Sequence, residues 1–357
     1  YMKNIFVNFG ILGLGRVVEK RVANVFLKEL KGSKVANIFD INISKKKKFQ
    51  KIFNCEASKD LDSFLSKKYD FVYIATESGN HYSHIKECFK YNQNVIVEKP
   101  PVLKVNQLKE LDRMAKIKKL KFYSIYQNRL NKSVKFLKKY LENNKNKIIF
   151  STLNLSWSRE QSYYNDWHGS WKMDGGVASQ QGIHYIDILC YLFGPPVKCI
   201  SYISKKSNKL QAEDTHNSLI VFKKNITCTC NFTTALRPQD FKASIKLTMQ
   251  DKIFNLQGLC CNEIEHIDLK KNKNLKLKRL CKKNTEKVKT GYGNSHFRVF
   301  QNIINESLKK NGYKKELPLK AINAESTLKL LNMMYMSYEK NKWIYYDRKK
   351  ISCKLGN

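Results

Sequence analysis

Four groups of residues in this chain have the types and spacing that could do chemistry. Gly13 and Gly15 stand between an apolar run, 5–11, and a stretch in which Val18, Val22, Val25, Phe26 and Leu30 recur at helical spacing. A glycine pair at such a strand–turn–helix junction lets backbone approach a pyrophosphate at a helix N-terminus, although Val18 takes the third small position of that fingerprint. Asp40 ends the next apolar run, 35–39, and lies 25 residues after Gly15. A carboxylate there accepts hydrogen bonds from adenosine ribose hydroxyls and repels a 2′-phosphate, which favours NAD over NADP. Glu98-Lys99-Pro100 directly follows Val95-Ile96-Val97. A lysine at a carboxyl strand end can donate to a substrate hydroxyl and stabilise the oxyanion that develops as hydride leaves. His184, in a segment of helical periodicity, carries the imidazole suited to taking the hydroxyl proton near neutral pH.

The elements that must hold these groups follow from periodicity. Strands are predicted over 5–11, 35–39, 71–75, 94–97 and 122–126, and helices over 17–30, 60–65, 81–91 and 105–116. That alternation predicts an α/β fold with a parallel, doubly wound sheet, whose ligands sit beyond the carboxyl ends of the strands. From 127 the pattern becomes strand-like runs with short breaks, at 147–157, 197–204, 217–222, 226–233, 244–249 and 252–257. A helix is predicted over 182–193 and two more over 297–308 and 321–338. On the first of these, His184 and Asp187 are three apart and can project together. Asp187 is read as a tether of that helix, with orientation of His184 as the alternative. Two domains are expected, 1–126 for the dinucleotide and 127–357 for substrate binding and oligomerisation, the helix 321–338 returning to the first.

Composition bounds the class. With 42% hydrophobic and 12% aromatic residues over 357 positions, intrinsic disorder is excluded. No apolar run approaches the roughly 20 residues of a spanning helix, so no membrane partner is expected. Lys+Arg number 67 against 30 Asp+Glu, a net charge of +37. The lysines are spread along the chain, as at 45–48, 118–119, 138–139 and 205–206, which favours a solvated surface over a groove for a specific nucleic acid. The ten cysteines contain no C-x-x-C pair, so no metal site is expected and a reducing compartment is. The first apolar residues break at Asn8, which argues against an export signal and for a cytoplasmic location.

The sequence resembles the Gfo/Idh/MocA oxidoreductase family over nearly its whole length. The resemblance rests on Gly10–Arg16, on Asp70-Phe-Val-Tyr-Ile-Ala-Thr-Glu-Ser-Gly-Asn-His81, on Glu98-Lys99-Pro100, and on the stretch 175–187, Gly-Gly-Val-Ala-Ser-Gln-Gln-Gly-Ile-His-Tyr-Ile-Asp. It implies an N-terminal Rossmann domain and a C-terminal α+β domain with a large, open, mostly antiparallel sheet. It also implies NAD held by Gly10, Gly13, Gly15, Arg16, Val17, Asp40, Thr76, Ser78, His81, Glu98 and Lys99. By the same resemblance Lys99 and His184 are catalytic, side by side at the nicotinamide. Many inositol- and glucose-type members carry an aspartate four residues before the histidine; Gln180 stands there and cannot ionise.

The segment 157–174 is rich in aromatics, among them Tyr164, Trp167 and Trp171, interleaved with Arg159. Such residues stack on sugar faces and hydrogen-bond hydroxyls or phosphates, or pack a loop on the sheet. The string resembles that of members in surface-polysaccharide and lipopolysaccharide pathways, which oxidise C3 of a nucleotide-linked N-acetyl sugar. Arg159, Tyr164, Trp167, Trp171, Gln180, His184 and His296 are therefore expected at the substrate, with helix capping the alternative for His296. The expected function is NAD-dependent oxidation of such a sugar by a homodimer or homotetramer. A dehydrogenase of free sugars or cyclitols, and a non-catalytic NAD-binding regulator, are the competing readings.

Overall fold

Strand β1 (Val7–Leu12) is buried at every position but Asn8, the pattern of a strand covered on both faces. The computed structural model describes residues 6–144, 147–269, 274–308, 319–346 and 351–357. In it β1 is central to a six-stranded sheet with β2 (Ser33–Phe39), β3 (Glu56–Ala57), β4 (Phe71–Ile74), β5 (Val95–Val97) and β6 (Phe122–Ser124). The order is β3-β2-β1-β4-β5-β6 and every pairing is parallel. Strand order reverses between β1 and β4, which opens a ligand crevice beyond their carboxyl ends.

The predicted first helix spans residues 16–29 and is wound partly in π register, over Val18–Val22 and Val25–Glu29. Helix α1 (Ile43–Phe53) and strand β3 have no counterpart in the sequence prediction. The lysine run 45–48 sits on α1, which buries just Phe49 and Phe53, so its apolar repeat is sparse. Helices α2 (Leu61–Leu65), α3 (His81–Lys90) and α4 (Val105–Ile117) match the sequence expectation, α2 beginning with an Asp60 capping box.

The second sheet has eight strands: β7 (Ile148–Ser156), β8 (Pro196–Ser204), β9 (Thr215–Phe222), β10 (Thr227–Thr233), β11 (Lys242–Met249), β12 (Lys252–Gln257), β13 (Glu263–Asp268) and β14 (Ile344–Tyr345). Their order is β13-β12-β11-β7-β10-β9-β8-β14; β7 and β10 run parallel and the other neighbours antiparallel. One face is covered and the other open, as β10 shows: Cys228, Cys230 and Phe232 are buried while Thr229 and Asn231 are exposed. Helices α5 (Lys132–Glu142), α6 (Ile183–Phe193) and α7 (Leu275–Lys283) accompany this sheet. No disulfide joins the described cysteines, and no metal-holding group of His, Cys, Asp or Glu occurs among the described residues. No described helix is long and apolar enough to cross a membrane.

The chain divides into two compact units: Tyr1–Val102, Asn106–Gln127 and Asn294–Ala324; and Leu103–Val105, Asn128–Gly293 and Glu325–Asn357. The tail is thus shared differently from the simple division at 126/127. Helix α8 (Ser295–Ser307) belongs to the first unit because Phe300 joins its core, with ring centroids 5.0 Å from Phe26, 5.2 Å from Tyr73 and 6.2 Å from Phe9. Of the predicted helix 321–338, the turn Ala321–Ala324 falls in the first unit, against β6, while helix α9 (Glu325–Lys340) packs on β8 and α6 in the second. It is buried on all sides from Thr327 to Ser337, so it needs a layer of structure around it.

Candidate active site

In the first unit the glycine turn has the geometry its sequence promised. Gly13 has φ +91°, and a Cβ there would lie 2.7 Å from the Thr76 nitrogen and 2.8 Å from the Ala75 carbonyl. Only glycine lets the turn press on the end of β4. The helix that follows starts at once, with the Glu19 N–H on the Gly15 carbonyl at 3.1 Å. Exposed Arg16 and half-buried Val17 lie in its first turn, whose N–H groups have no acceptor within a helix. Gly10 is different. It lies inside β1, and a Cβ would meet the Phe64 and Tyr69 rings at 2.9 Å, so its smallness serves sheet packing and corrects its assignment to the cofactor turn.

Asp40 stands at the carboxyl end of β2 and reaches the glycine turn. Its Oδ2 accepts the Leu14 N–H at 2.7 Å and its Oδ1 the Asn42 N–H at 2.7 Å. The carboxylate is therefore fixed beside the turn with lone pairs left over for ribose hydroxyls.

At the ends of β4 and β5 the structure rearranges the expected roles. His81 is 1% exposed. Its Nδ1 is 2.7 Å from the Pro100 carbonyl and its Nε2 is 3.1 Å from the Thr76 carbonyl. Burial pushes its pKa down to about 4, so the ring is neutral near pH 7. The neutral His81 carries one N–H, so it donates to one of these two carbonyls while its ring stays buried between the strand-end loops, which corrects its assignment as a cofactor contact. Thr76 also holds the His84 Nδ1 through Oγ1 at 2.9 Å, and Ser78 is half-buried in the short turn Ser78–Asn80.

Glu98 is buried too. Its Oε1 accepts the Tyr73 hydroxyl at 2.7 Å and lies 3.8 Å from His296 Nε2, while Oε2 accepts the Lys99 N–H at 3.3 Å. Burial raises the Glu98 pKa, and the Tyr73 hydrogen bond and the Lys99 charge oppose that rise. Lys99 itself is half-buried at the mouth of β5. His296, expected at the substrate, is 1% exposed in the first turn of α8 and faces Glu98 instead. Neither Tyr73 nor the His296–Glu98 approach was signalled by the sequence, since the partners lie on β4, β5 and α8, far apart along the chain.

In the second unit a π-wound turn, Ala178–Gly182, leads into α6. Across 177–190 every residue is buried except Gln180 and His184, which are half-exposed. Four residues apart, they share one face. Gln180 Oε1 also accepts from the Gln181 amide at 2.6 Å. Asp187 turns away to Arg129, accepting from Nε at 2.7 Å and Nη2 at 2.5 Å, and takes the Thr327 hydroxyl at 2.8 Å. This is the tether reading, and Arg129 is the partner that sequence alone did not supply.

The aromatic segment separates into exposed and interior parts. The Arg159 guanidinium lies 5.2 Å from the Trp157 ring centroid and 5.5 Å from that of Tyr163, and pairs with Asp240 at 2.9 Å. Half-buried Trp167 stacks on His168 at 3.8 Å. Tyr164 is buried with its hydroxyl 2.7 Å from Thr234 Oγ1, and burial pushes its pKa up to about 12. Trp171 packs edge-on against Tyr335 at 5.2 Å, beneath the Lys354 ammonium. Tyr164 is thus a packing residue of the loop, a correction to its expected substrate role, whereas Trp171, like Trp167, is half-buried; the segment's aromatic count could not distinguish Tyr164 from them.

A parallel doubly wound sheet, a glycine turn at a helix start and a fixed carboxylate on the second strand define a nucleotide-binding oxidoreductase domain, and these residues fit NAD. The chain belongs to the Gfo/Idh/MocA oxidoreductase family. Residues 7–126 match its NAD-binding Rossmann fold and 138–345 its C-terminal alpha/beta domain. Among solved structures, the WlbA dehydrogenase of Bordetella pertussis, in complex with NADH and UDP-GlcNAcA, superposes with a TM-score of 0.86 at 23% identity, covering 97% of this chain and 99% of that one. UDP-N-acetylglucosamine 3-dehydrogenase GnnA of Acidithiobacillus ferrooxidans gives 0.72 at 15% identity, covering 94% and 99%. Glucose-6-phosphate 3-dehydrogenase of Bacillus subtilis is 22% identical over 263 residues, 69% of this chain and 73% of the relative.

Proposed function

We propose that this NAD-binding oxidoreductase oxidises a secondary hydroxyl, at C3, of a nucleotide-linked N-acetyl amino sugar. Bound NAD supplies the hydride acceptor. Asp40 holds the adenosine ribose, and the Gly13–Gly15 turn admits the pyrophosphate to the helix start. Lys99 donates to the reacting oxygen and stabilises its developing negative charge. His184 takes the hydroxyl proton, the general-base task to which an imidazole is suited. Gln180, unable to ionise, donates to or accepts from a sugar hydroxyl on the same face. Arg159, between Trp157 and Tyr163, offers charge for a diphosphate beside rings that can stack on a sugar or base.

The observation that carries this reading is the exposure pattern of 177–190, which leaves Gln180 and His184 alone open to a ligand. The fold likeness to a dehydrogenase holding NADH and a UDP-sugar supports the substrate class. The test is a substrate panel: UDP-N-acetylhexosamines and their uronic acids, glucose 6-phosphate, free sugars and inositol, read by NADH absorbance and product mass. NADH formation with a UDP-linked N-acetyl sugar, and a product lighter by two hydrogens, is expected. Turnover of inositol or a free sugar alone overturns the assignment.

The same reading includes catalysis by Lys99 and His184. Replacing either with alanine is expected to lower kcat by about 10²-fold or more while NAD still binds. A homodimer or homotetramer is also part of it. The open sheet face, where Asn217 donates to Asn231 and Asn231 to Asn154, both at 2.9 Å, is the surface for a second copy. Sedimentation of a monomer at assay concentration overturns that part.

A further inference from the structure

We infer that Glu213 and Tyr335 form a clamp that holds the π-wound turn Ala178–Gly182 and so sets the face on which Gln180 and His184 stand. The inference rests on the assignment of His184 as the acid–base group.

Three elements converge on the start of this turn. Glu213, just before β9, is fully buried, and its Oε1 accepts the Ala178 N–H at 3.2 Å and the Tyr335 hydroxyl at 3.0 Å. Tyr335, fully buried on α9, accepts the Gly176 N–H at its hydroxyl oxygen at 3.1 Å. The Glu213 carbonyl accepts the Val177 N–H at 2.9 Å. Three successive N–H groups, of Gly176, Val177 and Ala178, therefore end on one glutamate and its phenol partner. His216 on β9, fully buried, completes the group with Nδ1 3.6 Å from Glu213 Oε1 and Nε2 2.8 Å from Ser218 Oγ.

The glycines make this approach possible. A Cβ on Gly176 would lie 2.1 Å from Glu213 Oε2, and Gly175 has φ +69° with a Cβ position 3.1 Å from the Tyr335 oxygen. Gly175 and Gly176 thus serve the clamp. A buried carboxylate is costly and is often no more stable than an apolar substitute, so its stabilising value alone does not account for it. A geometric role does. A π turn carries one more residue per turn than an α turn relaxed from the same segment. Conversion to α register would shift the following side chains by one residue, about 100° of rotation. His184 and Gln180 would then exchange their half-exposed face for the buried surroundings of their neighbours. Glu213 and Tyr335 are positioning residues, acting through the helix.

The test uses Tyr335→Phe and Glu213→Gln in the full chain, with Ile264→Val as a core variant for lost stability alone. Hydrogen exchange over 176–184, kcat, KM and NAD affinity are measured for each. Expected are faster exchange confined to that segment and a kcat lower by tenfold or more, with NAD affinity unchanged and Glu213→Gln the milder. Unchanged exchange in both variants overturns the clamp, as does a fall in kcat matched by Ile264→Val at equal melting temperature. His184→Ala is run beside them. Wild-type turnover in His184→Ala overturns the acid–base assignment, and the exchange result then decides the clamp by itself.

Discussion

His296 Nε2 lies 3.8 Å from the Glu98 oxygen that also accepts the Tyr73 hydroxyl at 2.7 Å. The residue preceding the strand-end lysine is thus held by groups from two other elements of its own unit. Its carboxyl is buried, and burial raises its pKa.

That arrangement predicts the pH dependence of Tyr73→Phe. A raised folded pKa means that stability is lost as pH rises through it and the buried group ionises. The Tyr73 hydroxyl opposes this by donating to the ionised form. Removing it is expected to cost about 1–3 kcal/mol at about pH 8 and less at about pH 5. Urea midpoints at the two pH values check the sign; a cost larger on the acid side contradicts it.

His81 predicts the opposite slope. Its pKa, lowered to about 4 by burial, lies below the 6.5 of an unperturbed imidazole. The neutral ring stabilises the fold above the unfolded value, and that stability is lost as pH falls through the folded one. The wild type is expected to lose up to about 3 kcal/mol between those limits on this account. His81→Gln should be less stable at neutral pH and show a flatter acid limb in the same titration.

Asp40→Ala removes the acceptor of the Leu14 and Asn42 N–H groups as well as the carboxylate proposed to hold the ribose. NAD affinity is expected to fall about tenfold or more, equivalent to about 1.4 kcal/mol, and discrimination against NADP to shrink. Quenching of intrinsic fluorescence by each dinucleotide measures both. An unchanged NADP to NAD ratio would remove Asp40 from the selectivity argument.

Arg129→Met leaves the Asp187 carboxylate buried without its bidentate partner. A loss of about 3–5 kcal/mol is expected, most of it recovered in the double variant Arg129→Met/Asp187→Leu. Thermal unfolding of the two proteins separates this from a direct role in catalysis, because the double variant should also regain turnover.

The sequence by itself determined the alternating strands and helices of the first unit other than α1 and β3, the glycine turn, the carboxylate at the end of β2, the lysine at the end of β5 and the helix that carries His184. These are local: each is written in periodicity or in a few adjacent residues. Tertiary structure decided the rest. It gave α8 to the first unit and kept α9 in the second, because Phe300 completes one core and Thr327–Ser337 are enclosed by the other. It turned His81 and His296 inward, closed Tyr164 into packing, and found Tyr73, Arg129, Glu213 and Tyr335 as partners of groups the sequence had named. Those assignments depend on which buried polar atoms meet across elements tens to hundreds of residues apart. A buried donor or acceptor must be satisfied, but nothing local in the chain says by whom.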